Sequence, residues 1–141
     1  MPKLADLHNH VLFGVDDGAK TIEMSEQMLA TSYAEGVRVL CVTPHGDPIR
    51  FPCEKETVLA RFEELKQLCR KRFPELTLYL GNEIFGYIDS PSSLTSGQFC
   101  PLGESNVALI EFPNDIAYRE MRNILQSYRA AGFLPMLAHA E

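Results

Sequence analysis

Two kinds of apolar pattern alternate along the chain. Short β-rich runs are followed by stripes of apolar residues spaced three and four apart. A brief first strand ends in Asp6-Leu7-His8-Asn9-His10. Thr21 is then placed to cap a helix that Gly36 closes. Val37-Arg38-Val39-Leu40-Cys41-Val42 is a run of the kind buried on both faces of a parallel sheet. Val58, Phe62, Leu65 and Cys69 form one helical stripe, with Glu63, Glu64, Lys66 and Arg70 mostly on its wet side. Leu76 to Leu80 reads as a third strand and Val107 to Ile110 as a fourth. Residues 86–105, rich in Ser, Pro and Gly, predict a hairpin or an irregular loop. Asn114 or Asp115 is expected to cap a helix that turns Met121, Ile124, Leu125 and Tyr128 inward and ends at Gly132. Phe133 to Ala138 completes a fifth strand.

This alternation predicts an α/β fold with parallel strands and right-handed crossovers. The 141 residues are enough for one domain, residues 1–141, with no repeat or linker. Five strands are too few for a closed barrel of eight, which takes about 250 residues. Either the sheet is open or the barrel is incomplete.

Composition narrows the function. With 45% hydrophobic and 23% charged residues the chain is an ordinary globular one. A net charge of −6 argues against nucleic acid or an anionic membrane as partner, although bound cations could reverse the sign locally. No apolar run suits a membrane helix, and the amino terminus does not resemble a signal peptide. Cys41, Cys53, Cys69 and Cys100 form no CxxC pair, which suits free thiols and a cytoplasmic location.

The candidate chemistry lies at the strand ends. All four histidines, His8, His10, His45 and His139, fall at or just past the carboxyl end of an expected strand. Glu83 and Glu111 end the other two. The carboxyl ends of parallel strands in an α/β fold share one face, so these six side chains are expected to converge there. Side chains two apart on a strand share a face, which lets His8 and His10 reach one cation, with Asp6 placed to hold a histidine N–H. Asp16-Asp17-Gly18 alone reads as a turn; just after the histidine pair, it suggests one aspartate turning back to a metal. Glu111 follows an apolar run and should be partly buried, needing a cation or hydrogen-bond donors. Imidazole and carboxylate ligands without a thiolate pair suit manganese, iron or zinc, and the number of ligands suggests two or three ions with bridging carboxylates. Arg50, in the loop after His45, is expected to be solvated.

Taken together, His8-x-His10, Val15-Asp16-Asp17-Gly18-Ala19-Lys20, Thr43-Pro44-His45, Gly81-Asn82-Glu83-Ile84, Leu109-Ile110-Glu111-Phe112 and Ala138-His139-x-Glu141 resemble the polymerase-and-histidinol-phosphatase superfamily. Within it, the sequence resembles the manganese-dependent protein-tyrosine phosphatases of bacterial capsule and exopolysaccharide operons. The resemblance implies a distorted, TIM-like (β/α)7 barrel, here incomplete with about five parallel strands. It implies two to three manganese ions. His8, His10 and Glu83 would hold one; Glu83, Glu111 and His139 a second; Asp17 and His45 a third. The implied substrate is phosphotyrosine on a capsule-assembly tyrosine kinase, hydrolysed by a metal-activated hydroxide. A later Asp-x-His pair and an arginine of that family lie beyond Glu141, so the chain is read as a shortened form whose activity alone is reduced. Two other readings are a histidinol-phosphate-type phosphoesterase and a non-catalytic metal-binding fragment that self-associates through unpaired barrel edges.

Overall fold

A computed structural model describes residues 3–139. The strands are β1 (Leu4–Asn9), β2 (Val37–Val42), β3 (His45–Gly46), β4 (Thr77–Leu80), β5 (Glu83–Phe85), β6 (Val107–Glu111) and β7 (Leu134–Leu137). The helices are α1 (Ile22–Ala34), α2 (Lys55–Arg72), α3 (Pro91–Thr95) and α4 (Tyr118–Ala130). Every described strand pair is parallel.

The five expected strands become seven because two of them break. Pro44 has no N–H to give a ladder, and β2 stops before it and resumes as β3. Gly81 and Asn82 break the next strand into β4 and β5 at the same height. Across the break the backbone is stitched by Gly81 N–H to Val42 O (2.9 Å) and Glu83 N–H to Pro44 O (3.2 Å). The Asn82 amide adds a rung by donating to Pro44 O at 3.1 Å. One hydrogen-bonded sheet therefore runs β1-β2-β4 and the other β3-β5-β6-β7. Joined through their continuing strands, they form one parallel wall in sequence order.

Residues 86–105 form no hairpin. They hold α3 and a return stretch that wedges beside β4: Gly103 N–H donates to Leu80 O (2.8 Å) and Leu102 N–H to Val107 O (2.8 Å). Asn82 holds this stretch as well, since its Oδ1 accepts from Cys100 N–H at 2.9 Å.

The helices cover the outer face. Leu29 of α1 and Leu65 and Cys69 of α2 pack with Leu40, Val42 and Leu78. Ile124 and Tyr128 of α4 pack with Ile84, Ala108 and Ile110. The helix of residues 118–130 starts later than expected: Ala117, with no side-chain cap, takes the N-cap position in place of Asn114 or Asp115. Thr21 does cap α1, and Gly36 and Gly132 turn the chain at φ 100° and 92° as a residue without Cβ can. The inner face is thinly covered. Leu7, Val39, Cys41, Tyr79 and Met136 line an open cavity of about 480 Å³ there. Among the described residues β1 and β7 pair on one side only, and the wall is an incomplete barrel.

Three ionisable groups sit in these apolar layers, and burial raises each: Tyr128 to about 12, Cys41 and Cys69 to about 11. In the unfolded chain they ionise at lower pH, so the stability they contribute is complete below about pH 9 and is lost as pH rises to 12. The urea midpoint should hold up to about pH 9 and then fall. Tyr128 accounts for on the order of 2 kcal/mol of the loss. Tyr128→Phe should flatten the fall above pH 10 while costing about 1 kcal/mol at neutral pH, because its hydroxyl donates to Ser90 Oγ at 2.7 Å. An unchanged alkaline slope in Tyr128→Phe would place the titration elsewhere.

Candidate metal centre

A bulge at the end of β1 aims the first histidines. Asp6 pairs with Leu40 and Asn9 with Val42, so three steps along β1 match two along β2. Thr43 Oγ1 fixes this end of β1 by accepting from Asn9 N–H at 2.9 Å. Asp6 lies before the bulge and does not hold a histidine ring: it accepts from the backbone N–H of His8 and from the Asn9 side-chain amide. Asp16 takes the expected role instead, with its Oδ2 2.8 Å from His10 Nδ1.

Asp16 reaches His10 because Gly18 lets the loop fold back. A Cβ at Gly18 would lie 2.1 Å from His10 O, so this backbone approach excludes any side chain. Ala19 N–H donates to His10 O (3.1 Å) and Gly14 N–H to Ala19 O (2.7 Å), which clamps the loop onto the histidine pair. Asp16 is itself oriented by the backbone N–H groups of Gly18 and His45. Those donors, with His10, outweigh the burial that would raise its pKa and leave it lowered.

The remaining ligand candidates converge on Glu83, which is 0% exposed. Its Oε2 lies 2.9 Å from His10 Nε2, 3.1 Å from His8 Nε2 and 3.3 Å from His45 Nδ1. Its Oε1 lies 3.0 Å from His139 Nε2. His139 reaches it from the end of β7 with φ 52°, in the left-handed region that histidine enters more readily than most residues. Glu111 is buried, as expected, and its Oε1 lies 3.4 Å from His45 Nδ1; the other nitrogen of His45 lies 3.4 Å from Asp17 Oδ1. All six strand-end residues and Asp17 are thus brought to one place.

These contacts are short but are not hydrogen bonds to Glu83. Neither of its oxygens has a hydrogen-bond donor among the described residues, and His45 Nδ1 is likewise buried without a partner. His8 Nε2 and His10 Nε2 lie 3.2 Å apart and face the same carboxylate oxygen. Lone pairs packed this way need positive charge between them. Burial lowers the His10 pKa, but Asp16 and Glu83 more than reverse it and raise it to about 9. Burial raises Glu83, and His10 and His8 overturn that to leave it far below the usual carboxylate range. His45, with burial as the largest influence, is lowered. A proton on His10 is one source of the required charge, and a divalent cation held by several of these atoms at once is the other. The donor set fits a cation: atoms within 4.8 Å of one another come from His8, Glu83 and His139, from His45, Glu83 and Glu111, and from His10, Asp16, Asp17 and His45. Glu83 belongs to two of these groups, which suits a bridging carboxylate. The grouping differs from the partition expected by resemblance: His8 joins His139 at Glu83, His45 joins Glu83 and Glu111, and His10 and Asp16 join Asp17 and His45.

Arg50 lies in an exposed turn as expected, but it is not free. It is ion-paired to Asp47 and to Glu111, and Asp47 is 1% exposed. Nothing local in the sequence signals a pair between residues 61 positions apart.

Known proteins share both the sequence and the shape. The family model for capsular polysaccharide synthesis, CpsB/CapC, matches residues 4–141. Tyrosine-protein phosphatase CpsB of Streptococcus pneumoniae is 32% identical over 138 residues, covering 98% of this chain and 57% of the relative. Tyrosine-protein phosphatase YwqE of Bacillus subtilis (strain 168) is 30% identical over 139 residues, covering 98% of this chain and 54% of the relative. A solved structure described as one of YwqE from Bacillus subtilis and CpsB from Streptococcus pneumoniae, unique metal-dependent tyrosine phosphatases, superposes with a TM-score of 0.86. It is 28% identical and covers 96% of this chain and 55% of that one. The chain spans little more than half the length of these relatives. Matched by that family model over nearly all of its length, the chain belongs to the CpsB/CapC capsular polysaccharide synthesis family.

Proposed function

We propose that this chain carries the metal-binding part of a protein-tyrosine phosphatase that acts on a capsule- or exopolysaccharide-assembly tyrosine kinase in the cytoplasm. The observation that carries this reading is the buried Glu83 carboxylate, faced by four imidazoles and, among the described residues, with no hydrogen-bond donor on either oxygen. The names of CpsB and YwqE as tyrosine-protein phosphatases support the substrate class.

His8, His10 and Glu83 would hold one ion, Glu83, Glu111 and His139 a second, and Asp17 and His45 a third. Manganese is the proposed metal, since imidazole and carboxylate ligands suit it. When bound, such ions polarise a phosphoryl oxygen and acidify water to a nucleophile at neutral pH. The protein's own contribution is orientation. Asp16 holds His10 by Nδ1, which leaves Nε2 directed at Glu83. The His45 backbone N–H on Asp16 ties that orientation to the end of the second strand. Burial of Glu83 keeps water from competing for its oxygens.

Three outcomes are expected. Manganese titrated into the chain should bind at more than one site, and Glu83→Gln should remove at least two ions while Asp17→Asn removes one. Elemental analysis after desalting checks this, and loss of a single ion in Glu83→Gln would remove it as the bridge. Gly18→Ala should push the loop off His10 and weaken manganese binding about tenfold or more, in line with the cost of losing a group that orients a ligand; unaltered binding would show that Asp16 and Asp17 do not matter to the site. At its relatives' full length, a protein carrying this segment should hydrolyse a phosphotyrosyl peptide with manganese and stop on chelation. His8→Ala should lower kcat about a hundredfold, as a displacement of about 1 Å can. Faster turnover of histidinol phosphate would move the reading to a small-molecule phosphoesterase.

A further inference from the structure

Arg50 follows β3, and three features fix it. Its Nε donates to Asp47 Oδ2, its Nη2 donates to Glu111 Oε1, and its Cζ lies 4.4 Å from the centre of the Phe85 ring. Asp47 is a firm mount: its Oδ1 accepts the backbone N–H groups of Ile49 (2.9 Å) and Arg50 (3.1 Å). Yet the Arg50 side chain is 43% exposed, which sets it apart from an arginine buried only to hold the fold. Its outer edge opens at the rim of the histidine–carboxylate cluster.

The carboxylate that Arg50 holds is also one that a cation would seek. Glu111 Oε1 lies 3.4 Å from His45 Nδ1, and Glu111 belongs to the group formed with His45 and Glu83. A guanidinium and a metal ion held on one carboxylate repel each other at such range. One must take another partner.

The geometry points to Arg50 as a substrate-contacting residue that exchanges Glu111 for an oxygen of the phosphoryl group. This rests on the metal-dependent phosphatase reading above. A guanidinium presents a planar fork of donors that matches phosphate, and its charge-assisted bonds are about twice as strong as neutral ones. Asp47 and Phe85 hold the Nε side and the flat face, so only the outer end of the side chain has to turn. A cation on Glu111 releases Arg50, and phosphate on Arg50 releases Glu111. Each ligand therefore raises the affinity of the other, and the coupling is reciprocal.

Calorimetric titration of the full chain with manganese and with inorganic phosphate, each alone and in the presence of the other, tests this. Removing the competitor in Arg50→Gln should tighten manganese alone about fivefold, the lower end of ordinary coupling between sites. The same substitution should weaken phosphate about tenfold, as expected for loss of a charge-assisted hydrogen bond. These opposite signs are the diagnostic, because an arginine that only supports Asp47 and its loop would weaken both ligands when lost. Arg50→Lys keeps the charge beside Glu111 without the fork, so it should leave manganese within about twofold and still weaken phosphate. It decides the matter if Arg50→Gln fails to fold by thermal melting. Weakening of both ligands by Arg50→Gln, or unchanged phosphate affinity in either variant, overturns the exchange while manganese binding by the parent chain stands. Absence of manganese binding by the parent chain overturns the metal reading and the exchange with it.

Discussion

A carboxylate removed from water costs several kcal/mol unless positive charge or donated hydrogen bonds replace its hydration. Glu83 is fully buried and, among the described residues, has no donor on either oxygen. Four imidazoles surround it, drawn from the end of β1, the turn after it, the start of β3 and the stretch just past β7. The arrangement of those strand ends is thus answerable to one charge. The loop of residues 14–19 answers to it as well, because Asp16 sets which nitrogen of His10 faces Glu83.

The break in the wall gives Glu83 its position. Pro44 ends one ladder, and Asn82 replaces the missing rung with its side chain while its other end holds Cys100. The strand resumes as β3 and β5, whose first pair is His45 with Glu83. Ligands that would otherwise continue a regular ladder are set at the start of a new one. Their neighbours anchor them from outside: Ile84 and Ile110, both at 0% exposure, pack under α4 beside Glu83 and Glu111.

Much of this was legible in the sequence, for a definite reason. In parallel α/β folds the carboxyl ends of strands share a face, so His8, His45, Glu83, Glu111 and His139 could be assigned to one place from the order of elements alone. What escaped depended on contacts without a period. Asp6 and Asp16 both stand near the histidine pair, and the bulge between Asp6 and Asn9 decides that Asp16 meets the ring. Asn114 and Asp115 are good capping residues, yet the turn closed by Ile116 N–H on Pro113 O delays the helix to Tyr118. Arg50 reads as a loop residue until the fold brings Glu111 to it.

The two faces of the wall are unequal, and this bears on how the site tolerates change. On the outer face Leu29, Leu40, Val42, Leu65 and Tyr128 are fully buried. On the inner face Leu7 and Tyr79 are 46% and 41% exposed beside the open cavity. A truncation in the filled layer leaves a void that close-packed neighbours cannot fill, and typically costs about 2–5 kcal/mol. A truncation at Leu7 or Tyr79 removes surface already in contact with water and costs much less. The inner face nonetheless leads directly to the site, since Leu7 precedes His8 and Ala138 precedes His139. The filled layer therefore holds the fold, while the open layer lies exposed where the chain leads into His8 and His139.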